Sequence, residues 1–215
     1  MMSKYNFQFK EYNWIKKSLN SEENTLNNIK ENYLDNNLNK EELELIKNPK
    51  KWAEYAFSSH NHQQYYVTIL AGETPLACIN NSFYGIDISF LEYNHEGELV
   101  KYLWMVYNRY NMDLYFKTNK LINWDDNNLF LSQVEVTKED TKNKIHNKAL
   151  FKYSKKLLKW TSVLNNKQDG TYKREDKETK VNLTGNFIRS PKHYLDYEYL
   201  LDYQNILKPE YLNLP

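Results

Sequence analysis

One cysteine, Cys78, stands in 215 residues, so no disulfide can close within the chain and no cysteine-based zinc cluster can be built from it. Glycine is nearly as scarce, at 5. None of these glycines falls in G-x-x-x-x-G-K-[ST] or G-x-G-x-x-G, which excludes nucleotide-phosphate cradles of those two designs. G-x-S-x-G and H-E-x-x-H are missing too. No apolar run approaches the roughly 18 residues that suggest a bilayer span. Met1 to Lys10 alternates polar and aromatic residues, unlike the charged-then-apolar pattern of a leader. No membrane partner is expected, and the reducing cytoplasm is the expected compartment. Arginine supplies 3 of the 29 basic residues, which argues against base readout by bidentate guanidinium. The net charge of +1 provides no global field for a polyanion, so any such binding must come from a local patch.

What is abundant is aromatic and amide. Aromatic residues make up 15%, with 19 tyrosines, beside 26 lysines and 29 asparagines. The Lys, Asn and Tyr excess is what AT-rich codons produce, so part of it reports genome composition. With 40% hydrophobic residues the chain is far from a disordered composition and long enough for a real core.

The hydropathy pattern predicts an α+β fold in one domain, an antiparallel β-meander flanked by N-terminal and C-terminal helices. Residues 1–60 read as a helical layer. Asn20 with Glu23 and Asn39 with Glu42 have capping-box spacing, and Asn48-Pro49 gives a cap followed by a first-turn proline. Trp52, Tyr55 and Ala56 form the inward stripe of the third helix. Residues 63–138 read as the antiparallel sheet, and from Phe83 to Lys138 they alternate with period two, most plainly at Ile86, Ile88 and Phe90 against Asp87 and Ser89. Gly72–Pro75 and Asn94–Gly97 make turns. The run Leu99–Tyr110 is apolar on both faces, which predicts a central strand buried from both sides. Residues 140–207 read as helices: a long one over 140–164, a mobile polar loop near 165–180, and a last helix from Ser190-Pro191 to Leu207. In the long helix Ala149, Tyr153, Leu157, Trp160 and Leu164 share one side at helical spacing.

Several groupings are candidates for chemistry. Lys144, Lys148, Lys152, Lys155, Lys156 and Lys159 fall within about 120° of one another at helical spacing, and no acidic residue occurs from Thr141 to Gln168. An ordinary surface helix would alternate Glu with Lys. This lysine face is the candidate partner-binding site, for phosphates or an acidic protein, against the simpler reading of a solvated face. His60-x-His62 supplies two nitrogens that a carboxylate near Glu92, or at Asp125-Asp126, could complete into a metal site for a hydrolase. Loop and turn chemistry explains the same residues more simply. Cys78, in Leu76-Ala77-Cys78-Ile79, reads as a buried thiol and not a nucleophile. No cofactor is called for.

The stretch Phe83–Glu135, and above all Tyr93-Asn94-His95-Glu96-Gly97-Glu98-Leu99-Val100-Lys101-Tyr102-Leu103-Trp104, resembles the strand–acidic-turn–strand hairpins of small bacterial immunity proteins. That resemblance covers about a quarter of the chain. It implies a cytoplasmic inhibitor that occludes a cognate protein toxin without catalysing anything. The near-neutral charge departs from the acidity such inhibitors need against nucleases. The residues themselves point the same way: tyrosines abound as contact area, and Glu22, Glu23, Glu31, Asp35, Glu41, Glu42 and Glu44 in the N-terminal helices oppose the lysine face in sign. A nucleic-acid-binding protein using the lysine helix is the alternative, and a metal-assisted hydrolase the third.

Overall fold

The computed structural model describes residues 4–32, 38–58, 63–110, 118–120, 127–140, 145–154, 157–166, 170–180 and 187–203. The architecture is α+β with antiparallel strands throughout, as the period-two pattern predicts. Two compact units divide the chain, and they interleave in sequence. One comprises Met1–Ile86 with Pro191–Leu201, the other Asp87–Ser190 with Asp202–Pro215.

The first unit opens with strands, not helices. β1 (Asn6–Gln8) and the hairpin of β2 (Tyr12–Asn13) and β3 (Ser18–Leu19) precede α1 (Glu22–Asn32), α2 (Lys40–Leu45) and α3 (Pro49–Ser58). Ser21, not Asn20, starts α1: its hydroxyl accepts from the Asn24 amide, and its carbonyl accepts from the Thr25 amide and hydroxyl. Asn20 is engaged with Glu11 instead. The Asn39–Glu42 capping box forms as its spacing predicts. Asn48 accepts from the Lys50 and Lys51 amides, one residue ahead of the first-turn proline. Trp52, Ala53 and Ala56 are fully buried, and the Trp52 indole donates to the Gln64 carbonyl at 2.8 Å.

β4 (Tyr65–Ala71) lies between β1 and β5 (Thr74–Asn81). All of Tyr65–Leu70 is buried, so β4 is the strand enclosed on both faces. The β4–β5 register slips after Ile69, where Pro75 stands opposite Leu70 and has no N–H to give the ladder. Gly72, at φ 62°, makes the turn.

The second unit is a meander. β6 (Gly85–Tyr93), β7 (Leu99–Asn108), β8 (Asn128–Asp140), β9 (Ile145–Ser154), β10 (Leu157–Asn166) and β11 (Tyr172–Lys180) follow one another in space as in sequence. β12 (Phe187–Arg189) pairs with the start of β8. The β6–β7 loop is built on Asn94, whose side chain accepts from the Glu96 and Glu98 amides, with Gly97 at φ 81°.

Here two expectations fail and a third holds only in part. Among the described residues of 140–164 there is no long helix. It belongs to the β9–β10 hairpin, paired from Leu157↔Ser154 to Asn166↔Ile145. Spacings of four residues satisfy a helix face and a strand face alike, because four is also a multiple of two. Ala149 and Tyr153 therefore share a side in either geometry, while burial that alternates over Lys148, Ala149 and Leu150 (half-buried, buried, half-buried) obeys only the strand. The region 165–180 contains β11 in place of a mobile loop. The last helix is present as a short 3₁₀ helix, Glu198–Asp202, preceded by turns, in place of one long helix from Ser190 to Leu207, of which 204–207 lie outside the described residues. The Lys192 amide bonds the Asp196 carboxylate and the Leu195 amide bonds the His193 ring, local bonds that compete with a helical ladder.

β7 also departs from its reading. Leu103, Met105 and Tyr107 are buried, but Val100, Tyr102, Trp104 and Val106 are only half-buried. Its second apolar face is a partly covered surface, half-buried at Tyr102, Trp104 and Val106 and buried at Glu135 and Thr137 of β8.

Candidate interaction surface

That surface is a grid of three strands. Across β7, β8 and β9 the register aligns Tyr102, Thr137 and Lys148 in one row, Trp104, Glu135 and Leu150 in the next, and Val106, Gln133 and Lys152 in the third. Opposite residues of an antiparallel pair point to the same face, so aromatic, aliphatic and charged groups share one side of the sheet. The other side carries Leu103, Met105, Val134, Val136 and Ala149, all buried.

Glu135 is the electrostatic centre. Its side chain is 11% exposed and forms an ion pair with Lys148 at 2.7 Å, while the Tyr102 hydroxyl donates to it at 3.4 Å. Burial raises the Tyr102 phenol above its ordinary value. The Thr137 hydroxyl and Lys148 oppose that rise, and the charge of Glu135 adds to it. Tyr102 therefore stays a neutral hydrogen-bond donor at neutral pH.

The six candidate lysines are treated unequally. Lys144, Lys155 and Lys156 lie outside the described residues. Lys148, Lys152 and Lys159 sit on strands, and register brings them to the face that carries Trp104. Lys159 stands opposite Lys152 on one side and opposite Glu178 of β11 on the other, and Lys148 is paired with Glu135. Of the six, Lys148 alone has a described side chain, and it lies on a sheet face beside Glu135, not on a helix.

Other candidates are absorbed by structure. Glu42, expected on an acidic surface, is 7% exposed and accepts from the Asn39 amide, the Tyr55 hydroxyl and the Gln63 amide at 2.9–3.0 Å. Burial works against its charge, yet those bonds together hold the carboxyl below its usual value. Glu92 takes the Lys101 ammonium at 2.8 Å and the Tyr203 hydroxyl at 2.6 Å, and the Tyr203 ring stacks on Phe90 at 4.4 Å. Burial again opposes, but Lys101, Tyr203 and the charge of Lys138 keep this carboxyl low. His60, His62 and Asp125-Asp126 fall outside the described residues. Among the described residues no group of three His, Cys, Asp or Glu is placed to hold a metal ion. Burial pushes the Cys78 thiol up to about 12, with Thr68 offsetting part of the rise, so at neutral pH it is not a thiolate.

Sequence reasoning missed two features. In the first unit Tyr65, Asn81 and Tyr197 form a buried polar triangle, with hydroxyl–hydroxyl contact at 2.6 Å and the Asn81 amide donating to both at 2.7–2.8 Å. Nothing local signals a partner 132 residues away. The exposed β2–β3 tip, Trp14–Lys17, was hidden by reading the first sixty residues as helices, although the alternation of Met1–Lys10 already pointed to strands.

No family model, no curated protein and no solved structure matches the chain.

Proposed function

We propose that the chain is a non-enzymatic binding protein of the cytoplasm, an immunity-type inhibitor that occludes a cognate protein toxin. The observation that supports this reading is the half-buried face around Trp104. Interface centres favour Trp and Tyr, which bring large contact area with few rotors. Tyr102 and Trp104 both stand on β7, two residues apart, so they need little ordering when a partner arrives. The central Glu135 is already paired with Lys148, so covering the face strands no lone carboxylate. The exposed acids of the N-terminal helices, Glu22, Glu23, Glu31, Glu41 and Glu44, speed encounter with a basic partner.

Titration calorimetry of the purified chain against the product of the gene immediately upstream, which the reading requires to be its toxin, tests the reading. An equimolar complex is expected, with Trp104→Ala weakening it about 30-fold or more, the scale of an interface hot spot. No heat of binding to that toxin would remove the proposal.

A second reading rests on Lys148, which shares a face with Tyr102 and Trp104, and on the register positions of Lys152 and Lys159 in the same sheet. Lysines along a backbone track and aromatics beneath the bases are how single strands are held without sequence preference. Affinity for a labelled oligonucleotide would then fall steeply with salt and collapse in Lys148→Glu. Absent or salt-insensitive binding at low ionic strength excludes it.

A further inference from the structure

The turn joining β2 and β3 consists of Trp14, Ile15, Lys16 and Lys17, all exposed. Ile15 is 95% exposed and Trp14 42%, the two most adjacent large apolar side chains left in water among the described residues. Displaying them is a built feature. The Asn13 side chain accepts from the Ile15 amide at 3.1 Å and the Lys16 amide at 2.9 Å. Its own amide donates to Asn20 at 3.2 Å, and Asn20 donates to Glu11 at 2.8 Å. The Glu11 carboxylate also takes the Asn28 amide, which roots the hairpin on α1. Tyr12, buried beneath, meets the Trp14 ring edge-on at 4.9 Å. Lys17 adopts φ 50°, a left-handed conformation costly to a non-glycine residue, to close the turn.

Two physical requirements for entering an apolar medium are thereby met. The apolar side chains point outward from a fixed base, and the amides of Ile15 and Lys16 are satisfied within the chain. Charge sets what kind of medium. From Lys4 to Asn20 the sequence carries four lysines and one acid, Glu11, whose carboxylate is committed to Asn20 and Asn28. Trp settles at the headgroup level of a bilayer, and flanking lysines reach phosphates. Four residues fall far short of the roughly 20–30 per side in a stable protein interface, whereas partition into a lipid surface needs no complementary shape.

We infer that the β2–β3 tip seats on an anionic lipid bilayer, Ile15 and the Trp14 ring entering the headgroup–acyl boundary while Lys16 and Lys17 meet lipid phosphates. The contact lies on the membrane and not across it; among the described residues no helix is long and apolar enough to span. Anchored by one small tip, it is weak and reversible. It stands independently of the toxin-binding reading.

Flotation of the full chain with vesicles tests it. The protein should float with vesicles of phosphatidylglycerol mixed into phosphatidylcholine and remain behind with phosphatidylcholine alone. Ile15→Ser should cut the bound fraction about tenfold. Lys16→Glu combined with Lys17→Asn, in which asparagine tolerates the left-handed φ, should do the same. Tryptophan emission should shift to the blue on vesicle addition, and Trp14→Phe should abolish that shift. All variants should melt with the wild type, since the altered side chains are exposed. Failure of the wild type to float with anionic vesicles, equal flotation with phosphatidylcholine, undiminished binding by Ile15→Ser, or a blue shift that survives in Trp14→Phe would each overturn the inference.

Discussion

Glu42 shows how one side chain can be read correctly in sequence and still be assigned the wrong job. Its spacing from Asn39 announces a capping box, and the box forms. Its charge, however, faces the interior and is spent on Asn39, Tyr55 and Gln63 rather than on a partner. Spacing along a helix encodes the local bond; the burial depends on Gln63, 21 residues away. Because the folded-state carboxyl titrates below its ordinary value, its stabilisation is complete above the unfolded value near 4 and disappears as pH falls through the lower folded one. Glu42→Gln should therefore cost about 1–3 kcal/mol at neutral pH, the range for charged hydrogen bonds left unmade. Urea titrations across pH should show that gap closing in acid. A gap that is constant with pH would mean the loss is one of packing.

At the scale of elements, the cross-strand geometry of β8 and β9 makes a claim that a helix could not. Lys148 reaches Glu135 because they lie on neighbouring strands, two register positions apart along the diagonal of one face. Lys148→Glu should destabilise by about 1–3 kcal/mol, since a buried carboxylate then loses its cation and gains a like charge. The exchange of both residues, Glu135→Lys with Lys148→Glu, should recover part of that loss in a double-mutant cycle. Zero coupling in the cycle would contradict the strand register. The same pair explains what the sequence could reveal. Strands β4 to β8 were legible because alternation such as Ile86-Asp87-Ile88 has no helical equivalent. The β9–β10 hairpin was not, since Ala149 and Tyr153, like Lys148 and Lys152, are four apart and satisfy both periods. Lys148, Lys152 and Lys159 were thus placed on the wrong kind of element. The face around Trp104 was misjudged for a related reason: apolar residues on both sides of β7 announce burial, and only tertiary structure tells which side is covered.

For the molecule as a whole, the decisive fact is that its first unit joins Met1–Ile86 to the distant segment Pro191–Leu201. Tyr197 is fully buried there, bonded to Tyr65 and Asn81, and Leu200 is buried beside it in sequence. Closing a loop of 132 residues costs entropy before the contact returns anything. The early strands and α3 can assemble through nearer contacts, such as Trp52 with Gln64 and Tyr65 with Asn81, without waiting for the C-terminal segment. The Tyr197 contact should then form after the rate-limiting step. Tyr197→Phe removes one hydroxyl and about 1–1.5 kcal/mol, so unfolding should accelerate about 5–10-fold while refolding changes less than about twofold, the behaviour of a position unformed in the transition state. Stopped-flow chevrons in urea would separate the two limbs. Should refolding slow by the full amount and unfolding stay fixed, the long loop closes before the barrier, and assembly of the first unit would be governed by capture of its C-terminal segment.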